Sequence, residues 1–233
     1  QEDTFLREYG ATYRFRLGEP SAVRLTPEGS AVLFLRSGPR SFVNDLYEFS
    51  VATGQERKLL SAGDLLGGAE ENLTPEELAR RERMRSAARG IAGYSLSKDG
   101  TKLLVPLSGR LFVVDRASGQ AKQLETGDAS PIDPQFSPDA FLVSYVSQGE
   151  LFVISTEGGA PRQLTAGASE AVEHGLAEFV AQEEMDRMHG HWWSPDGQYL
   201  VTQRTDTRQV EKWHILDPAR PGEGAQAWPY PRP

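Results

Sequence analysis

Short apolar runs recur along the chain, each entered through a turn of similar composition. Thr26-Pro27-Glu28-Gly29, Ser97-Lys98-Asp99-Gly100, Ser137-Pro138-Asp139-Ala140 and Ser194-Pro195-Asp196-Gly197 lead into AVLFLRS, TKLLVPL, FLVSYVS and QYLVTQR. Proline at the second position presets φ for a turn, and Asp-Gly favours a tight reversal between strands. Most runs are followed by a second strand, a small-residue turn and a third strand. The segments are DLYEFSVATGQERKLLS, GRLFVVDRASGQAKQLET and GELFVISTEGGAPRQLTA, the last two nearly superimposable. One unit is about 40 residues, the spacing of a four-stranded propeller blade. A blade cannot bury both faces alone, so it must stack on neighbours. The predicted fold is all-β, a partial β-propeller of about three to four four-stranded blades. Propellers close with at least four blades and often seven or eight, and ARPGEGAQAWPYPRP has the composition of a loop. Residues 1–233 are therefore expected to form an incomplete propeller domain.

Two helical insertions break this rhythm. The first spans about residues 64–90. Thr74 is a candidate N-cap, Pro75 suits the first helical position and Glu77 completes a capping box. The predicted helix runs over about 74–90 and stops at Gly90. It carries Arg80, Arg81, Arg83, Arg85 and Arg89 but few large apolar side chains. Such a helix has little to bury and is expected to dock weakly. The second insertion spans about 168–190, where Val172, Leu176, Phe179 and Val180 recur at helical spacing amid Glu170, Glu173, Glu178, Glu183, Glu184 and Asp186.

The chain carries 33 acidic against 25 basic residues, a net charge of −8. Such a charge repels phosphate backbones and argues against nucleic acid as a partner. With no cysteine in the chain, disulfides, thiolate catalysis and cysteine-ligated zinc are excluded. No apolar run approaches the roughly 18 residues of a membrane helix. The opening QEDTFLREY lacks the basic and apolar regions of a signal peptide, so a leader was either never present or already removed.

A serine hydrolase of the α/β class needs a Gly-x-Ser-x-Gly elbow. The nearest string, Gly93-Tyr94-Ser95-Leu96-Ser97, lacks the last glycine and leads into a blade turn. No catalytic residue is therefore expected within the chain. His189-Gly190-His191 near Asp186 has ligand-like residues, but no third ligand is suitably spaced, and neither a metal nor a cofactor is expected. Glu183-Glu184 is the pair with most chemical promise. Adjacent carboxylates on a helix point roughly 100° apart, yet both can line one cavity at its end. Held together they repel, and a primary ammonium between them relieves that cost through charge-assisted hydrogen bonds.

The stretch GLAEFVAQEEMDRMHGHWWSPDGQYLVTQR closely resembles the propeller of the dipeptidyl peptidase IV family, prolyl oligopeptidase-type serine peptidases, and the inserted arginine-rich helix points to its bacterial branch. There a Glu-Glu motif precedes a Trp-Trp-Ser-Pro turn. The resemblance implies that Glu183 and Glu184 grip the free α-amine of a peptide substrate. It also implies that an arginine of the 80–85 run, Arg81 first and Arg80 or Arg83 next, holds the second carbonyl. Trp192 and Trp193 are expected to pack the blade as strand residues. The parent protein would be a periplasmic or secreted serine exopeptidase. It would release N-terminal dipeptides with Pro or Ala second. Its C-terminal α/β-hydrolase domain, absent from this chain, would be the main partner, which makes residues 1–233 the incomplete N-terminal propeller domain, and a homodimer is compatible with the resemblance. Alternatives are a tripeptidyl or broader aminopeptidase of the same family, or a non-catalytic TolB-like or WD40-like scaffold for protein binding.

Overall fold

The computed structural model describes residues 4–69, 71–73, 78 and 89–230. A short helix, α1 (Thr4–Ala11), precedes three successive antiparallel meanders. Blade 1 contains β1 (Ser21–Leu25), β2 (Ala31–Ser37), β3 (Val43–Ser50) and β4 (Glu56–Leu60), followed by α2 (Ala62–Leu66). A two-residue strand, β5 (Arg89–Gly90), adds to β3 in parallel. Blade 2 contains β6 (Ser95–Leu96), β7 (Lys102–Leu107), β8 (Arg110–Asp115) and β9 (Ala121–Leu124). Blade 3 contains β10 (Ile132–Phe136), β11 (Leu142–Ser147), β12 (Glu150–Ser155) and β13 (Arg162–Gln163). The remaining elements are β14 (Val172–His174), α3 (Phe179–Glu184), β15 (His191–Trp193), β16 (Leu200–Thr202), β17 (Arg204–Asp206), β18 (Lys212–Leu216) and β19 (Ala225–Pro229). They pair as β14 with β17, β15 with β16 and β18 with β19.

The apolar runs are continuous because both faces of the middle strands are buried. In β7, Leu103, Val105 and Leu107 join a core shared with blade 1, whereas Leu104 joins one shared with blade 3. In β8, Phe112 and Val114 face the first core, and Leu111 and Val113 the second. Strand side chains alternate between faces, so one blade supplies two interfaces. Polar links reinforce the stack. Arg116, in the turn between β8 and β9 of blade 2, reaches Glu28 (2.8 Å) and Glu48 (2.9 Å) of blade 1. Lys102 donates to Thr156 Oγ1 (3.0 Å) of blade 3.

The repeated turns share one hydrogen-bond pattern. The hydroxyl of Thr26, Ser97, Ser137 or Ser194 accepts from the amide five residues later, at 2.9–3.1 Å. Three of these hydroxyls also donate to Asp99, Asp139 and Asp196, which holds those carboxyls below their ordinary range. The fourth residue is left-handed in every case: Gly29, Gly100, Ala140 and Gly197. A Cβ on Gly100 would lie 2.9 Å from Pro27 Cδ of the preceding blade's turn, and one on Gly197 would lie 3.5 Å from Pro138 Cδ. The glycines are thus required by backbone conformation and, at Gly100, by the neighbouring blade. Ala140 follows the one turn with lysine, Lys98, in place of proline.

Two helical expectations change. Gly90 lies at φ +70° with room for no Cβ beside the Asn44 carbonyl, and Arg89–Gly90 pair with β3. The helix expected to end at Gly90 therefore does not include these two residues. The rest of that expectation, with Arg81, lies outside the described residues except Leu78, which is helical and exposed. The helix expected over 168–190 is confined to Phe179–Glu184. Val172–His174 instead form a strand, and Gly175 donates to the Gln203 carbonyl (2.8 Å). The sheet edge here satisfies more backbone groups than one turn of helix can, overriding the apolar spacing.

Two substitutions test these contacts. Gly100→Ala should cost about 2 kcal/mol, roughly half from left-handed strain and half from the Pro27 contact. Gly29→Ala, where a Cβ meets open space, should cost only about 1 kcal/mol. Denaturant titration of both variants checks the difference. Gly190→Ala should be worse, because its Cβ would fall 2.1 Å from the Leu176 carbonyl carbon. A loss of about 3 kcal/mol or more is expected. Hydrogen exchange should accelerate across residues 172–206 while blades 2 and 3 keep their protection.

Candidate functional site

The innermost strands β1, β6, β10 and β15 precede the repeated turns. They are short, and β1 and β10 are bulged, with Ala22 (φ +49°) and Asp133 (φ +51°) in the left-handed region. Bulges re-aim side chains and break pairing, and Asp tolerates this conformation better than most residues. A cavity of about 740 Å³ lies along β1, β6 and β10, lined in part by Arg24, Tyr94, Lys98, Asp133, Gln135 and His189.

At the junction of blade 3 with β15, the Asp133 carboxylate meets His189 Nδ1 (2.6 Å) and Gln135 Nε2 (3.1 Å). His191 is fully buried. Its Nδ1 is 3.0 Å from the Gly175 carbonyl and its Nε2 is 3.0 Å from Ser144 Oγ. With Nδ1 as donor, Nε2 accepts from Ser144, and both ring nitrogens are engaged. Burial holds the imidazole below its ordinary pKa, outweighing the raising effects of the Gly175 carbonyl and Asp133. His189 and His191 thus converge on Asp133 rather than on Asp186, and they staple blades together. Trp193 Nε1 donates to Ser144 Oγ (2.9 Å), so Trp193 packs between blades as expected. Trp192 differs. It is exposed, with the Arg187 guanidinium 5.9 Å from its ring centre.

Glu183 and Glu184 occupy the last turn of α3, and both are exposed. Among the described residues neither forms an ion pair. The helix presents its carbonyl end there, so the partial negative charge of that end adds to that of the carboxylates. The combination favours a cation and disfavours an anion. In the cavity lining, Met188 and His189 from the following segment appear, but neither glutamate does.

The placement of α3 depends on a polar group that the sequence pattern did not single out. Within the helix only Ala181 is buried, so apolar packing holds it weakly. Glu178, at its N-cap, accepts from Arg187 Nη2 (2.8 Å) and Gln203 Nε2 (2.6 Å). Burial raises the Glu178 carboxyl, but the hydrogen bonds from Gln203 and Arg187 and the nearby arginine charge leave it below its ordinary range. Arg187 Nη1 also donates to the His189 carbonyl (2.7 Å) and to Gln203 Oε1 (3.0 Å). Arg187 is the one lysine or arginine among the acidic residues of 168–190, and that is the signal the sequence carries. Its partner Gln203 lies beyond the next turn and strand, in a stretch with nothing to mark it.

Comparison with known proteins places this architecture. The family profile described as the dipeptidyl peptidase IV (DPP IV) N-terminal region matches residues 97–233. Human dipeptidyl peptidase 8 is 28% identical over 183 residues, covering 67% of this chain and 20% of its own length. A probable dipeptidyl-aminopeptidase B of Grosmannia clavigera is 23% identical over 168 residues, covering 60% of this chain and 17% of its own. The chain thus spans about a fifth of the length of these curated relatives. The crystal structure of Porphyromonas gingivalis dipeptidyl peptidase 4 matches with a TM-score of 0.65 at 18% identity, over 97% of this chain and 31% of that one. That likeness establishes the propeller fold. Among the described residues no helix is long and apolar enough to cross a membrane. With a profile match that runs over more than half of its residues, from the turn of blade 2 through Pro233, this chain belongs to the dipeptidyl peptidase IV N-terminal region family.

Proposed function

We propose that this chain is the propeller portion of a serine exopeptidase that removes dipeptides from peptide N-termini, with Pro or Ala as the second residue. Glu183 and Glu184 receive the substrate's α-ammonium, and Arg81 holds its second carbonyl. The α/β-hydrolase domain that supplies the catalytic serine is the propeller's partner, and the protein works in the periplasm or outside the cell. The observation that carries this reading is the exposed glutamate pair at the carbonyl end of α3, in a chain whose relatives are dipeptidyl peptidases.

The physical logic is charge compensation. Closing a peptide over two carboxylates removes water from them, which is costly unless a cation replaces it. A free N-terminus brings that cation in the position needed for charge-assisted hydrogen bonds. An internal peptide bond brings none, so the pair selects chain ends and sets the cleavage register by distance from the ammonium.

Blocking the ammonium tests the reading in the full-length parent protein. N-acetylation of a substrate with proline as its second residue should lower kcat/KM by about a hundredfold or more, equivalent to losing charged hydrogen bonds of about 1.5–3 kcal/mol each. Glu183→Gln and Glu184→Gln should each lower kcat/KM for the free-amine substrate by about ten- to a hundredfold. Equal kcat/KM for acetylated and free substrates would overturn the proposal.

A further inference from the structure

We infer that Arg187 is the positioning residue that holds the glutamate pair in register, acting as a clamp across both ends of α3. This rests on the role proposed for Glu183 and Glu184.

The helix has only six residues, Phe179–Glu184, and buries one small side chain, Ala181. An isolated helix of that length does not persist in water. Something outside the helix must hold it: the Phe179 ring packs on Tyr230, 5.3 Å between centres, and the polar contacts converge on Arg187. Its backbone amide returns to the Ala181 carbonyl (2.9 Å), closing the helix through Asp186, whose φ of +50° reverses the chain. Its guanidinium reaches past the helix to the Glu178 carboxylate at the opposite end (2.8 Å). One residue thus binds the start and the finish of the element that carries Glu183 and Glu184.

The same guanidinium fixes that element to the blade. It donates to the His189 carbonyl, just before β15, and to Gln203 Oε1, between β16 and β17. Gln203 Nε2 closes the ring by donating to Glu178 (2.6 Å). The Gln203 backbone is set independently, donating to the Gly190 carbonyl (2.8 Å) and accepting from Gly175 (2.8 Å). The Trp192 ring lies against the guanidinium. Arginine suits this place because its planar fork can serve several acceptors at fixed angles, which a lysine ammonium on a flexible stem does not.

The clamp also acts electrostatically. Arg187 spends its charge on Glu178 and on carbonyls, and no ion pair links it to Glu183 or Glu184. The carboxylates that face solvent keep their charge for a ligand. Arg187 therefore acts through geometry, and its loss should weaken ammonium binding without altering chemistry at the distant nucleophile.

The test uses the full-length protein and four forms: wild type, Arg187→Met, Glu183→Gln/Glu184→Gln, and the combination. With a free-amine substrate whose second residue is proline, Arg187→Met should raise KM by about tenfold or more while kcat stays within about threefold. Arg187→Lys should fall between wild type and Arg187→Met, since it keeps the charge but loses the fork. A fluorophosphonate probe, which carries no ammonium, should inactivate Arg187→Met at the wild-type rate. In the background lacking both glutamates, Arg187→Met should have no further effect on KM, because residues that act as a unit are not additive.

Equal losses in KM effect and in fluorophosphonate reactivity would show general structural damage and overturn the inference. So would an effect of Arg187→Met that adds fully to that of the glutamate changes. If the glutamate changes raise KM and Arg187→Met does not, the anchor stands and the clamp fails. If the glutamate changes leave KM untouched, the proposed anchor fails and the clamp with it.

Discussion

Leu103, Val105 and Leu107 enter one core while Leu104, between them, enters another. A sheet with two apolar faces cannot be solvated on either side, and each buried aliphatic side chain contributes about 1.5–3 kcal/mol. Blade 2 is therefore stable only between blades 1 and 3. The middle blade has no free face, so the polar work of the molecule moves to the strand ends, the inner strands and the inserted segments.

The turns translate the stacking into sequence. Each carries a hydroxyl that closes on the amide five residues later, and a fourth residue in the left-handed region. Gly100 meets Pro27 of the previous blade, so turn residues in adjacent repeats constrain each other. Ala140 fits the same rule, since it follows the one turn without proline. A methyl group there does not have to pass a pyrrolidine ring.

The candidate site is built by the opposite strategy. α3 buries only Ala181 and adds one ring contact, Phe179 on Tyr230, so its placement relies on hydrogen bonds among Glu178, Arg187 and Gln203. A polar network fixes orientation well only when its members are satisfied. This one joins a helix end, the segment before β15 and the junction of β16 and β17. The exposed carboxylates of Glu183 and Glu184 are therefore carried on a support fixed by hydrogen bonds at Glu178.

The sequence by itself determined the blade repeat, the turn positions and the glutamate pair, because local turn chemistry and strand periodicity depend on residues close along the chain. Of the short inner strands, β1 and β10 had no signal of their own, because each spans only five residues and its pairing is bulged. The helix expected over 168–190 contracted to Phe179–Glu184 because Val172 and Gly175 found backbone partners around Asp206 and Gln203, about 30 residues away in sequence. Propensity and spacing cannot weigh a hydrogen bond whose other half lies on a distant strand. The meeting of His189 and His191 with Asp133 was hidden for the same reason, as was the three-way contact of Glu178, Arg187 and Gln203. These contacts exist only once β15, β16 and β17 have stacked beside blade 3, and that step is decided by tertiary burial rather than by any local pattern.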